Sequence, residues 1–394
     1  MVAHAAGLET SHGMEVTLAV AGATGESRTR GVRTIPLDQA REERFDIAVA
    51  TWWRTAYSLF ELRADRRAYF LQSFEERLYR PGEVERLGAA LTHALPVSFI
   101  TEAHWIARLL ADLRPATPCF HVPNGVDKEL FASPAAPPPS DPGAPLRVLV
   151  EGSQNLWYKG IGGALDAASG MTSPREVTLV TPEAPAGAVA ADRVLGPLSL
   201  REMSAVYAET DVLLKLSRVE GVFTPPLEAF HLGATCVVSP VTGHDEYVVH
   251  GRNGVVVEWD DLPGAARWLD LLARDRDLLG RLRAGALETA SSWPSWEPST
   301  AAMAEALQEI AAAPAPPVED AMARLLADAR SGLEELRWAQ LRAERGVISR
   351  DAEIEWREER HQEVIASRAY RLGTRLRRPL ETIRSLQRAP RRDC

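Results

Sequence analysis

Two glutamates and a lysine are the residues through which this chain can be expected to do chemistry. Glu220 and Glu228 stand eight positions apart in R-V-E-G-V-F-T-P-P-L-E-A-F-H-L-G, residues 218–233. Two carboxylates so placed are a plausible way to hold a polyhydroxylated, phosphate-bearing ligand. Lys159, in L-W-Y-K-G-I-G-G, is a compact charge suited to a phosphate. Its loop lacks the G-x-x-x-x-G-K-S/T spacing of a nucleotide-triphosphate loop.

The elements that must position them follow from local patterning. Asp211–Leu216 (D-V-L-L-K-L) reads as a strand that delivers Glu220, which opens a Gly-containing turn. Pro225 and Pro226 then start a helix, where a missing N–H costs least. Glu228 lies about one turn into that helix, which ends near Gly233, and Cys236–Ser239 begins the next strand. Backbone N–H groups at the helix start point into the same space. Taken alone, this strand-turn-helix fits a phosphate-bearing ligand and a plain scaffold equally.

The same alternation extends over the chain. Leu146–Glu151 is expected as a strand, Gly160–Ser169 as a helix, Val177–Thr181 as a strand and Leu200–Glu209 as a helix. Tyr247-Val248-Val249 and the strand Gly254–Val257 follow, then helices over Pro263–Ala273, Asp275–Ala290 and Thr300–Ala313. Upstream, Met1–Met14 reads as a helix ending at Gly13, before strands at Glu15–Ala21, Arg44–Thr51, Tyr69–Gln72 and Pro96–Ile100. Pro81–Leu95 and Thr101–Leu113 read as helices, the latter with Thr101 as N-cap. The stretch S-P-A-A-P-P-P-S-D-P-G-A-P, residues 133–145, is an extended linker. The expected fold class is α/β: a Rossmann-like half over 1–132, the linker 133–145, and a second Rossmann-like half over 146–290. A crossover helix and linker follow at 291–316, a charged helix and candidate coiled coil at 317–366, and a basic tail at 367–394. Two such halves leave a cleft at the C-terminal ends of their strands, where ligands of these folds bind.

Composition narrows the class. The chain has 394 residues, 45% hydrophobic and 25% charged, with a net charge of -9, which makes nucleic acid an unsuitable general partner. Cys119, Cys236 and Cys394 have neither metal nor disulfide spacing, which fits a reducing, cytoplasmic location. No apolar run reaches the ~18–20 residues of a membrane span, and the first residues lack the basic-then-apolar pattern of a signal peptide. The tail is different: nine arginines between Arg368 and Arg392 face only Glu381 and Asp393, with Tyr370, Leu372, Leu376, Leu380, Ile383 and Leu386 interleaved. Such a helix can lie on an anionic membrane surface; a solvated tail is the other reading.

Several segments together carry a resemblance. They are G-S-x-x-x-x-x-K-G at 152–160, the run from Leu198 to Ala234, V-T-G-H-D-E-Y-V at 241–248 and G-x-N-G-V-V-V at 251–257. In this order they resemble the C-terminal domain of family 4 retaining glycosyltransferases, which have the GT-B fold. Pro123-Asn124-Gly125-Val126-Asp127 with Phe131 resembles the family's segment before its interdomain linker. Residues 51–57 (T-W-W-R-T-A-Y) and 69–81 (Y-F-L-Q-S-F-E-E-R-L-Y-R-P) look like bacterial rhamnosyltransferase-type enzymes that build surface polysaccharides.

The resemblance implies roles. Glu220 would be the catalytic carboxylate at the donor sugar, Glu228 would bind the ribose hydroxyls of the nucleotide, and Lys159 would neutralise the diphosphate. Ser153, the backbone N–H groups of Val222, Phe223 and Thr224, and the loop of Gly243, His244 and Glu246 would complete the donor side. The base would sit near Gly196-Pro197-Leu198. On the acceptor side, Trp52, Trp53 and Tyr57 fit either strand-end packing or a sugar-stacking platform, and His104 and His121 fit either a structural or a site-lining role. The family generally works without a metal, so no cofactor is expected beyond the nucleotide-sugar donor. Two departures stand out: the family's opening strand and glycine-rich loop are missing, and Ser153 and Asn155 stand where a basic residue is frequent. More of the phosphate binding would then fall on Lys159, helped by Arg218. The expectation is a GT-B glycosyltransferase at the inner face of the plasma membrane, acting on a glycan or lipid-linked acceptor. The alternative is a catalytically inactive scaffold that assembles, or self-associates, through its C-terminal helix.

Overall fold

The computed structural model describes residues 1–137, 141, 143–183, 189–316, 325, 328–343 and 345–346. The chain divides into a unit of Met1–Ala329 and a second of Arg330–Cys394. In the second unit residues 330–343 are helical. Arg330 and Glu334 pair one turn apart at 3.3 Å, leaving Leu333 and Trp338 exposed. The coiled-coil expectation at 317–366 lies largely, and the basic tail at 367–394 wholly, outside the described residues.

The first unit contains two lobes built on separate sheets. In the first lobe, α1 (Val2–His12) stops at Gly13, whose φ of 63° is left-handed. Strands β1 (Thr17–Val20), β2 (Ser27–Thr29) and β3 (Val32–Pro36) form a small sheet in the order β1-β3-β2. Neither β2 nor β3 is expected from the sequence, because arginines interrupt the apolar residues of R-T-R-G-V-R-T-I-P. Val32 and Ile35 are nonetheless fully buried. After α2 (Leu37–Ala40), a parallel sheet forms from β4 (Arg44–Ala50), β5 (Arg63–Leu71), β6 (Ser98–Thr101) and β7 (Cys119–His121), in that order. Helices α3 (Trp53–Ser58), α4 (Val84–Leu91) and α5 (His104–Leu113) connect them. The register aligns Leu71 with Thr101 and Thr101 with His121, so the strands end level at one edge. Thr101 is therefore the last residue of β6; the N-cap of α5 is Ala103.

The second lobe alternates strand and helix. Its elements are β8 (Leu146–Glu151), α6 (Ile161–Ser169), β9 (Arg175–Val180), β10 (Arg193–Leu195), α7 (Leu200–Ala208) and β11 (Val212–Lys215). There follow α8 (Thr224–His231), β12 (Thr235–Val238), β13 (Val255–Val256), α9 (Leu262–Arg274) and α10 (Arg276–Ser292). The six strands are parallel in the order β10-β9-β8-β11-β12-β13. Tyr247-Val248-Val249 is irregular rather than a strand; the Tyr247 hydroxyl donates to the carbonyl of Phe223. Both sheet faces are covered, as a parallel sheet requires. Val148, Val150, Val212 and Leu214 face α6 and α9, while Leu149, Leu213, Cys236 and Val238 face the side covered by α8.

The chain then returns. Helix α11 (Trp296–Ala312) packs Met303, Ala304, Leu307 and Ile310 against Leu8, Phe70 and Ile100 of the first lobe. Where it crosses, the Val126 N–H donates to Pro294 O at 3.1 Å and the Trp293 indole N–H to Asn124 O at 2.9 Å. The two passages between the lobes therefore run side by side. Among the described residues no helix is long and apolar enough to cross a membrane.

Candidate active site

The site grows out of two adjacent central strands. Strand β8 and its flank read R-V-L-V-E-G-S and strand β11 and its flank read D-V-L-L-K-L-S. The register pairs Val148 with Val212 and Leu149 with Leu213. Side chains alternate faces with a period of two, so Glu151 and Lys215 come level on one face at the C-terminal edge. Arg147 and Asp211 come level at the other edge, where they pair at 2.7 Å. The Lys215 ammonium, 1% exposed, donates to the Glu151 carboxylate and to its carbonyl at 3.3 Å. Burial works against a charge there, but Glu151 and Glu220 outweigh it and hold the Lys215 pKa above the ordinary lysine value.

Lys159 approaches from the loop after β8. Its Nζ donates to both carboxylate oxygens of Glu220 at 3.0 Å each, and Lys215 Nζ lies 3.9 Å from the same carboxylate. Gly160 makes this approach possible. It has φ 66°, and a Cβ there would stand 2.1 Å from the carbonyl oxygen of Leu216. Glu228, half-buried on α8, is pushed up to about 7 by burial and then by the charge of Glu151. The Tyr207 hydroxyl and Lys215 pull it back only in part. Glu151, Lys215, Glu220, Lys159 and Glu228 thus form one charged floor at the edge of the sheet.

Other expected donor-side groups have partners elsewhere. The Ser153 hydroxyl donates to Glu183, and Arg218 pairs with Asp260. Phe223 is core, fully buried. The N–H of Val222 donates at 3.4 Å to Glu102, and that of Thr224 at 2.8 Å to Val222 O. These N–H groups therefore do not point into open space, because a first-lobe carboxylate reaches across to one of them. Burial pushes Glu102 up to about 7, and its hydrogen bonds from Val222 and Asn124 act in the opposite direction.

The 241–247 loop lies on the seam between the lobes. A Cβ at Gly243 would stand 2.5 Å from Gly221 O and 3.1 Å from the Trp105 indole nitrogen, and His244 Nδ1 meets Val241 O at 2.6 Å. Glu246 accepts from the backbone N–H groups of His104 at 3.1 Å and Trp105 at 2.7 Å, so its carboxylate sits on the N-terminus of α5. The Trp105 indole N–H donates to Gly221 O at 3.0 Å, Arg77 to Thr242 at 2.8 Å, and the Trp157 indole to Leu78 O at 3.1 Å. Gly221 has no room for a side chain, since a Cβ would lie 1.8 Å from Gln72 O.

Of the acceptor-side aromatics, Trp53 is 8% exposed and donates to the Tyr79 hydroxyl at 3.0 Å, whereas Trp52 and Tyr57 are exposed at 43% and 37%. Trp53 is a packing residue; Trp52 and Tyr57 retain an open face. The ring of His104 stacks on His121 with centroids 3.7 Å apart. A cavity of about 330 Å³ flanks the Lys159 loop beside Gly160, Leu216 and Arg218, and its lining includes neither glutamate. Among the described residues no group of three or more His, Cys, Asp or Glu side chains is arranged to hold a metal. Sequence reasoning missed Lys215, Glu151, Tyr207 and Glu102. For the first two a signal existed: two apolar runs ending at the same offset in opposite charges.

Residues 157–275 match the family model of glycosyl transferases group 1. No curated protein matches the chain. Among solved structures the chain is similar to sucrose-phosphate synthase of Thermosynechococcus elongatus, with a TM-score of 0.63 and 16% identity over 79% of this chain and 92% of that one. It is similar also to Anabaena HepE in complex with UDP-glucose, with a TM-score of 0.56 and 18% identity over 70% and 82% of the respective chains. S. aureus TarM, solved with fondaparinux, α-GlcNAc-glycerol and UDP, gives 0.54 and 12% identity over 68% and 55%. The fold is GT-B. Within that fold, the segment 157–275 of the second lobe is the part that matches the glycosyl transferase model. That segment contains Lys159, Lys215, Glu220 and Glu228.

Proposed function

We propose that the chain moves a hexose or deoxyhexose, rhamnose being the leading candidate, from a nucleoside-diphosphate sugar to a cell-surface glycan or lipid-linked acceptor, with retention of anomeric configuration. The observation that carries this reading is the Lys159–Glu220 pair at the C-terminal edge of β8 and β11, inside the segment that matches the glycosyl transferase model. Breaking the bond from the anomeric carbon to the diphosphate builds positive charge on the carbon and negative charge on the leaving oxygen. A lysine held at the edge stabilises the second charge, and a carboxylate nearby steadies the first. In this reading Lys159 meets the diphosphate, Glu220 the donor sugar and Glu228 the ribose. The nucleotide enters by likeness, since the HepE and TarM structures hold UDP or UDP-glucose. The reading assigns no role to a bound metal.

Calorimetric titration with UDP, dTDP and GDP tests it. One of the three should bind, and Lys159→Ala and Glu228→Ala should each weaken that binding at least about tenfold, ~1.4 kcal/mol. Absence of binding to all three refutes the reading. The basic tail is proposed as a peripheral anchor on anionic lipid at the inner face of the plasma membrane. Co-sedimentation with phosphatidylserine vesicles should fall when 367–394 are deleted, and equal sedimentation removes the anchor.

A further inference from the structure

We infer that Lys215 is a positioning residue of the donor site, the fixed counter-ion of Glu151 and Glu220, whose presence lets Lys159 leave Glu220 for the donor diphosphate. The inference rests on the proposed donor site.

The two lysines that face Glu220 differ in how they are held. Lys215 ends the central strand β11, is 1% exposed, and is fixed by the carboxylate and the carbonyl of Glu151. Lys159 ends a single helical turn in a loop, is 24% exposed, and has Glu220 as its ion-pair partner. One ammonium is locked in the sheet; the other can swing. Glu220 itself is only 10% exposed on its side chain. If Lys159 moved to a diphosphate and nothing else faced Glu220, a partly buried carboxylate would be left beside Glu151 and Glu228 without compensation, and that state is costly. Lys215, 3.9 Å away, supplies the compensation without moving. The floor carries three carboxylates, Glu151, Glu220 and Glu228, against these two ammoniums. The sharing of Lys215 between Glu151 and Glu220 therefore sets how tightly Glu220 retains Lys159.

This assignment predicts a specific coupling that a merely structural lysine would not produce. Removing Lys215 takes away the second ammonium facing Glu220, so Glu220 grips Lys159 harder and UDP must compete for it. Neutralising Glu220 frees Lys159 whether or not Lys215 is present.

The test is a double-mutant cycle read by UDP affinity on the full chain, with thermal melting to confirm that each variant folds. Lys215→Met should weaken UDP about tenfold in the parent background and less than twofold in the Glu220→Gln background, while Glu220→Gln alone should tighten UDP. If Lys215→Met fails to fold because Glu151 loses its partner, Lys215→Met with Glu151→Gln replaces it on both arms, and the same disappearance of the effect in Glu220→Gln is expected. An equal loss in both backgrounds would make Lys215 a direct phosphate contact or a structural residue and would overturn the inference. No loss in the parent background would overturn it too. A wild-type chain that binds no UDP, dTDP or GDP refutes the functional reading and this inference with it, whereas wild-type binding with an additive cycle refutes this inference alone.

Discussion

Glu228→Gln isolates the electrostatic cost of the charged floor. Burial and the Glu151 charge raise the Glu228 carboxyl from 4.5 to about 7 in the folded chain. Between those values the folded protein keeps the proton and the unfolded chain has released it. The unfolded state thus binds fewer protons, and the contribution of Glu228 to stability falls as pH rises through this window. The loss is complete above about pH 7 and absent below about 4.5. At 1.36 kcal/mol per pH unit the interval corresponds to roughly 3 kcal/mol. Solvent reaching the half-buried side chain reduces that to about 1–2 kcal/mol. Glutamine keeps an oxygen for the Tyr207 hydroxyl but does not titrate. The variant should therefore melt close to wild type at pH 5 and a few degrees higher at pH 8. Glu102 and Glu76 are likewise raised by burial to about 7, but they titrate in both proteins and cancel in the difference. A melting difference that is the same at pH 5 and pH 8, or a variant less stable at pH 8, would refute the placement of Glu228 as a buried carboxylate only partly compensated by Tyr207 and Lys215.

Three further outcomes follow from close contacts. Gly160→Ala puts a Cβ 2.1 Å from Leu216 O at φ 66° and should displace Lys159, lowering UDP affinity tenfold or more; Gly162→Ala, with nothing within 4 Å, should leave it unchanged. Glu246→Ala removes the acceptor of two N–H groups at the start of α5 and should cost about 1–3 kcal/mol, seen as faster amide exchange at His104 and Trp105; unchanged exchange there would discount the bridge. Gly221→Ala cannot coexist with Gln72 O at 1.8 Å, so small-angle scattering should report a larger radius of gyration while UDP affinity at the second lobe stays within about twofold.

The elements that hold Lys159, Glu220 and Glu228 were legible because each follows from a local rule. Alternating apolar residues mark β8 and β11, Pro225-Pro226 marks the start of α8, and glycines mark the turns. The partner of each side chain was not legible, and the reason differs by residue. Lys215 and Glu151 were recoverable: R-V-L-V-E and D-V-L-L-K put opposite charges at one offset, and parallel pairing makes them neighbours. Reading them requires knowing that β8 and β11 are adjacent, although two strands lie between them in sequence. Glu102 and Glu246 offered no such signal. Their acceptors meet backbone N–H groups 120 to 142 positions away, and every residue but proline carries that donor.

That difference changes what the site must do. Residue types alone present the cationic and N–H groups as open to an anion. In the folded chain Lys159 holds Glu220, Lys215 holds Glu151, the Val222 N–H holds Glu102 and the start of α5 holds Glu246. Each anion-binding feature is filled by one of the protein's own carboxylates. In the proposed function a diphosphate would therefore have to exchange with a carboxylate, and the carboxylate released would have to find another partner or take up a proton. Glu220 has Lys215 for the first route, and Glu228 and Glu102, raised to about 7, are suited to the second. Under that proposal affinity is a difference between two charge arrangements, and its determinants would include a lysine buried beyond the reach of solvent.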